Sequence, residues 1–404
     1  MKRFIVVVVY ILFFFIIPAH AVPPACTLDN YFMKTEGYKN HMLQKMDSSI
    51  NRERNYTSLY PNLYLSSGQY ANNNTSFTSI DNSFVTFGLS MPLYSGGLYS
   101  KQIKMNDAQD ALSFNSLKEY KMNYLLSLFS DVSNYNYLID QLVLSEKKLK
   151  NQKRDIKIAS HNERLGYISR FEFDIRTQRK SEIENEILNI KNSIEEKQKY
   201  IYYKYKIPKE NIKDISYLDI LNCNHNGLLE ILKEKVSTEK DILSVEHEIN
   251  LSTLKPSVYA GVNITPKNRG TLSDVRFNKA NYSLSISVDV PLNIFFSKSI
   301  YDKEYHLSLK KKQLRYDDEF EYYLNQKESS ERKLTSLQNE LNFLKKNIAL
   351  KREKVKFTYD RLKKNQDTII EYYRQQEDLY LSEILMKKAE REIEIYKIYI
   401  NFIK

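Results

Sequence analysis

The chain has 404 residues, 27% charged and 42% apolar, which excludes an intrinsically disordered chain and a polytopic helical membrane protein. The formal charge is +11, yet the lysines are mixed with glutamates on helical patterns and no nucleic-acid motif occurs, so the charge reads as solvated helix faces and no nucleic acid is expected as a partner. With only 9 Gly and 9 Pro, long stretches lack both helix breakers, which suits long helices.

In chain order, Lys2 and Arg3 precede an apolar run from Phe4 to Ile17. Pro18 ends the run and Ala19-His20-Ala21 supplies a small-residue cleavage site. Residues 1–21 are read as a signal peptide, which directs the chain out of the cytoplasm. No later segment approaches a spanning helix, so entry into a membrane would require a β-barrel, the other structure that satisfies the backbone in lipid. A first helix and N-terminal belt segment is expected over 22–58.

The pattern then changes to strands. Over 59–95, Val85, Phe87, Leu89 and Met91 alternate with Phe84, Thr86, Gly88 and Ser90, and Leu63 and Leu65 begin a weaker strand. Over 255–293 the alternation returns. Val258, Ala260, Val262 and Ile264 share one face, and so do Tyr282, Leu284, Ile286 and Val288. Runs of about nine or ten residues fit tilted membrane strands, although a half-buried soluble sheet alternates in the same way. Four strands cannot close around side chains, so a membrane barrel would be shared by several subunits.

Helical hairpins follow each strand pair, over 96–204 and 294–404. Leu125, Leu128, Val132, Tyr135, Ile139 and Leu142 are spaced 3, 4, 3, 4, 3, and Leu334, Leu337, Leu341, Leu344 and Ile348 are spaced 3, 4, 3, 4. Ile183, Ile187, Ile190 and Ile194 continue the pattern, which is that of a coiled-coil seam. Leu98 to Arg164 holds no Gly or Pro and would make a helix roughly 100 Å long. An equatorial linker over 205–225 and a second-copy helix over 226–254 separate the hairpins from the second strand pair.

The chain is therefore written twice. Pro92 and Pro291 lie 199 residues apart, as do Gly166 and Asn365, Ser169 and Thr368, and Glu172 and Glu371. Gly and Asn tolerate a left-handed backbone at a helix end, and Ser and Thr cap the helix that returns. The turns near 164–168 and 363–367 are the hairpin tips.

The order helix, strand pair, long hairpin and linker, repeated, resembles the TolC-type outer-membrane efflux proteins from Thr27 to Phe402. The motifs that carry the resemblance are Tyr60-Pro61-x-Leu63, Met91-Pro92-Leu93-Tyr94-Ser95-Gly96-Gly97 and Arg164-Leu165-Gly166. The resemblance implies a mainly α fold with a membrane β part: a homotrimer sharing a 12-strand β-barrel in outer-membrane lipid, continued by a periplasmic α-barrel. It also implies a periplasmic adaptor protein and an inner-membrane transporter, either ABC-type or proton-driven. Arg164, Leu165, Gly166 and Tyr167, with Lys364, Asn365 and Gln366, match the family's adaptor-docking tips; they are also ordinary turn residues. Glu371 matches the first of two acidic residues that narrow the family's pore. Arg374 stands at the second, so the pair is either a constriction or a surface ion pair. Cargo stays open between drugs and a secreted protein, and the AT-rich-looking composition favours a secreted protein, as in dispersin exporters.

The resemblance also places Cys26 and Cys223, the only two cysteines, at matching helix starts in a belt around the tunnel. A disulfide is expected in an oxidising compartment, with free thiols and lipidation of Cys26 as alternatives. No metal site or cofactor is expected. His41, His161, His247 and His306 are isolated, and Cys223-Asn224-His225 alone is a poor metal signal. No nucleophile elbow, zinc-protease or phosphate-loop motif occurs, so the chain is not read as an enzyme. A periplasmic or surface coiled-coil scaffold is the rival from another class; it has no need of membrane-grade strands.

Overall fold

The computed structural model describes residues 26–69, 83–223, 226–266, 280–364 and 366–404. The signal segment, Asn365 and His225 lie outside these. In chain order the elements are α1 (Asp29–Phe32), α2 (Glu36–Thr57), β1 (Asn62–Gln69), β2 (Ser83–Ser95), α3 (Leu98–Arg164) and α4 (Arg170–Tyr205). A 3-10 turn (Lys209–Asp214) and α5 (Tyr217–Asn222) follow, then α6 (Leu228–Ser252), β3 (Ser257–Thr265), β4 (Asn281–Asp289), α7 (Ile294–Lys363) and α8 (Ile369–Phe402). The first helical stretch is interrupted at 33–35, where Thr35 turns its hydroxyl back to the Phe32 carbonyl. The described residues divide into two compact units: one drawn from 26–35, 121–226 and 327–402, the other from 36–120, 227–326 and 403–404.

The second of these units holds a single antiparallel sheet among the described residues, in the order β1-β2-β3-β4. The register sorts its faces by chemistry. Leu63, Leu89, Val262 and Leu284 stand opposite one another across all four strands, and Leu65, Phe87, Ile264 and Tyr282 form the next such row. Between these rows on the other face lie Tyr64, Gly88, Asn263 and Ser283. One face is thus apolar and the other is built mainly of Ser, Thr, Asn, Gly and Tyr. The lack of a side chain at Gly88 lets the Tyr64 ring lie over it, and the Tyr64 hydroxyl donates to Asn263 Oδ1 at 2.8 Å, bridging β1 to β3.

β2 runs further than its alternation predicts. It continues through Pro92 to Ser95, with a register shift between Pro92 and Tyr94. Pro has no N–H to give the ladder, and a bulge is the way a sheet accommodates it. The helices of this unit are tied by charge pairs: Arg52 of α2 reaches Asp107 at 2.8 Å and Asp110 at 2.6 Å on α3, and Lys118 reaches Glu234 of α6 at 2.8 Å.

In the other unit the predicted seams are the core. Leu125, Leu128, Val132 and Tyr135 of α3 are buried, as are Ile183, Ile187 and Ile194 of α4 and Leu337, Leu344 and Ile348 of α7. Ile139, Leu142, Ile190, Leu334 and Leu341 are only half-buried. An aromatic group closes the linker end. Tyr124 meets Phe32 and Tyr205 edge-on at 5.2 and 5.3 Å, and its hydroxyl donates to the Tyr205 carbonyl at 3.1 Å. The Tyr205 hydroxyl bonds Asp131, which Lys197 also holds at 2.6 Å. Burial, and then the Asp131 carboxylate, push the Tyr205 hydroxyl far up from its ordinary value, so it stays a donor. Ser216 and Asp219 form a capping box that starts α5.

Candidate functional site

The two helical turns share a closing bond and a helix cap. After α3, Tyr167 N donates to the Asn162 carbonyl at 2.8 Å and Gly166 N to the Glu163 carbonyl at 3.0 Å. Gly166 sits at φ +75°. This is a Schellman ending, in which the left-handed residue lets the chain turn back and satisfy the last carbonyls. After α7, Gln366 N donates to the Arg361 carbonyl at 2.9 Å, the equivalent bond 199 positions on. Asn365, expected at the left-handed position, lies outside the described residues.

The returning helices start alike. Ser169 Oγ accepts from Glu172 N at 3.1 Å, and Thr368 Oγ1 accepts from Glu371 N at 3.2 Å. The next turn also matches: Glu172 takes Arg176 at 2.7 Å, and Glu371 takes the Gln375 amide at 2.5 Å. Glu371 therefore has a structural reason to be where it is, as the third residue of a capped helix.

At the first tip, Leu165 and Tyr167 are exposed, and Tyr167 keeps 75% of its accessible surface. Phe171 and Ile175, on the first turns of α4, are exposed beside them. Sequence reasoning did not single out these two. Their i, i+4 spacing outside the isoleucine seam was the available signal. Arg164 is exposed, and Lys364 and Gln366 are exposed at the second tip. The Arg361 guanidinium holds that turn through the Gln366 carbonyl at 3.1 Å.

Glu371 and Arg374 make only a loose contact. Arg374 Nη1 lies 4.0 Å from Glu371 Oε2, and the Arg374 side chain is largely exposed. A more enclosed acid lies two turns on. Glu377 is held above the usual carboxylate range chiefly by burial, offset by Lys148 of α3, Arg179 of α4 and a hydrogen bond from Asn151. Asp155 of α3 is likewise raised by burial, although Arg176 lies 2.8 Å away. Further ties join α3 to α8. Asp140 meets Arg391 at 2.7 Å and Lys387 at 3.3 Å, and Lys147 sits 3.8 Å over the Tyr380 ring.

Cys26 and Cys223 are brought together and bonded, with Cα atoms 4.8 Å apart. Among the described residues no group of three or more His, Cys, Asp or Glu could hold a metal ion, and no helix is long and apolar enough to cross a membrane.

No protein-family model and no curated protein sequence matches the chain. Solved structures do. The outer membrane protein VceC of Vibrio cholerae is similar with a TM-score of 0.62 at 8% identity, over 93% of this chain and 96% of that one. The Campylobacter jejuni CmeC outer membrane channel is similar with a TM-score of 0.65 at 10% identity, over 93% and 85%. The Neisseria gonorrhoeae MtrE outer membrane channel in its open state gives 0.63 at 12% identity, over 93% and 88%. The chain has the fold of these outer-membrane channels: two long helical hairpins and one four-stranded antiparallel sheet, to which each copy of the repeat gives two strands.

Proposed function

We propose that the chain is one subunit of a trimeric outer-membrane exit duct, working with a periplasmic adaptor and an inner-membrane transporter to pass cargo out of the cell. One observation carries this reading. The sheet leaves its apolar face in the open: Leu284 is 79% exposed and Ile286 71%. Among the described residues its outer strands β1 and β4 each pair on one side only. A water-soluble sheet with both faults would aggregate. A closed barrel shared among copies, with the apolar face toward lipid, removes both at once. The fold shared with outer-membrane channels agrees with this. A coiled-coil scaffold leaves the apolar sheet face without a use.

The cargo we propose is a secreted polypeptide rather than a drug. On the polar face, apart from Asp289, β4 presents Asn281, Ser283, Ser285 and Ser287. A wall of hydroxyls and an amide with a single carboxylate at its end favours passage of an extended chain of mixed charge over tight binding of a small ion. Light scattering of the detergent-extracted protein, with conductance in planar bilayers, tests the duct: a trimer that conducts is expected, and a stable monomer would overturn it. Loss of one secreted protein, with unchanged drug susceptibility, is the expected result of deleting the gene.

A further inference from the structure

Charge is nearly absent from the sheet. The chain is 27% charged, yet among the described residues of β1, β2, β3 and β4 Asp289 is the one charged residue. It ends β4 on the polar face, in a row with Ser257 of β3 and Ser95 of β2. Lys255 lies two residues before β3 begins. The two charged residues line one cleft of about 520 Å³, together with Ser95, Ser252, Ser257 and Tyr259.

The floor of this cleft is held firmly. Ser252 is buried at the end of α6 and its hydroxyl donates to the Glu248 carbonyl at 2.8 Å. The Lys255 N–H donates to the Ser252 carbonyl at 3.1 Å. The chain passing from β2 to α3 presses on the same carbonyl, since a Cβ at Gly96 would come within 2.5 Å of it. The Asp289 and Lys255 side chains themselves are exposed, and among the described residues neither is in an ion pair. Lys101 and Glu248, about one turn along α3 and α6, hold each other at 3.6 Å. They leave the cleft with one free carboxylate and one free ammonium group.

We propose that this cleft is a contact station for a passing polypeptide, in which Asp289 takes its lysine and arginine side chains and Lys255 its aspartate and glutamate side chains. The proposal rests on the duct reading, in which the polar face lines the lumen and each copy brings its own station to the foot of the wall. Charged side chains of an extended cargo meet no counter-charge on the strands above, so they pause here. Exposed ion pairs are individually weak. Weak contacts at several equivalent places suit a duct, because conduction needs binding that favours entry and still permits exit. The two charges near one another also keep the station from trapping a cargo of either sign.

The test uses the purified full-length protein in planar bilayers and two unstructured Gly-Ser peptides, one carrying Lys and the other Glu at matched positions. The readout is the duration of the current blocks each peptide causes. Asp289→Asn should shorten blocks by the Lys peptide about threefold or more and leave those by the Glu peptide unchanged. Lys255→Gln should do the reverse. Asp289→Glu should keep the wild-type blocks by the Lys peptide, which separates loss of charge from damage to the strand. Equal changes with both peptides, or none with either, would overturn the proposal. Blocks by free spermine as long as those by the Lys peptide would also overturn it, since they would give the site to small cations. A wild-type protein that does not conduct would overturn the duct and the station together. A conducting wild type whose blocks ignore Asp289→Asn would overturn the station alone.

Discussion

Cys26 and Cys223 are joined across 197 residues of sequence, and the bond ties the start of the first copy to the linker that leads into the second. Cys223 is 2% exposed, beside the buried Ile220. Closing a loop of this size restricts the unfolded chain by an amount on the order of 4–5 kcal/mol in the chain-entropy model. Both Cys26→Ser and Cys223→Ser should lower the midpoint of thermal unfolding, and reductant should lower that of the wild type alone. Alkylation without reductant should label neither thiol. Full labelling of both would refute the bond and with it the oxidising location.

The left-handed residue at the first tip gives a graded prediction. A Cβ at Gly166 would meet nothing within 4 Å, so any cost of substitution comes from φ +75° and not from crowding. Gly166→Asn, which borrows the residue of the second tip, should change stability by a few tenths of a kcal/mol, whereas Gly166→Val should cost about 1–2 kcal/mol. Urea unfolding measures both. Gly166→Pro and Leu165→Asp should abolish export while assembly persists. Export that survives both changes would reduce the tip to a turn.

How far the sequence could be read follows from where its periods are strict. The 3, 4 spacing of Leu125, Leu128, Val132 and Tyr135 and the alternation from Tyr282 to Val288 each state a local geometry, and the helices and strands follow them. The repeat offset likewise located Ser169 and Thr368 as caps. Pro92 lies inside β2, because a bulge can hold a proline within a strand that a simple ladder would end. The burial of Glu377 was not legible. It depends on which helix packs on which face, and that is fixed by contacts with α3 and α4 and not by any local period.

Glu371 tests whether the second tip narrows the pore. Its backbone N–H is capped by Thr368 and its carboxylate is held by Gln375, so Glu371→Gln should keep the turn. Glu371→Lys should lower cation preference and change single-channel conductance in a planar bilayer. If both stay at wild-type values, the constriction lies elsewhere and Glu371 is, like Glu172, only the first turn of a capped helix.

The raised carboxyl of Glu377 sets a pH dependence. Burial, partly offset by Lys148, Arg179 and Asn151, lifts it above the usual range. The folded chain therefore holds this proton more tightly than the unfolded one. The contribution to stability is present at low pH and is lost as pH rises from about 4.3, the ordinary glutamate value, through the folded value. Asp155 contributes with the same sign. Glu377→Gln should stabilise the protein above that window and flatten the stability profile across it. Denaturant unfolding at pH 4, 5, 6 and 7 reads the slope, and a profile as steep as the wild type's would show that other groups set it.

Neighbouring residues of β4 give the sharpest test of the barrel. Ile286 pairs with Ala260 on the apolar face, and Ser285 pairs with Gly261 on the polar one. Their side chains leave the sheet on opposite sides, since the strand period is two. If the apolar face meets lipid, Ile286→Lys puts an ammonium group into hydrocarbon at a cost of about 2–4 kcal/mol near the bilayer midplane. Ser285→Lys, one residue away, puts the same charge into the aqueous lumen at little cost and should bias the pore toward anions. The expected outcome is impaired assembly into vesicles for the first variant and an assembled channel of altered selectivity for the second. Equal tolerance of the two changes would mean that neither face meets lipid, and the sheet would then belong to a soluble assembly.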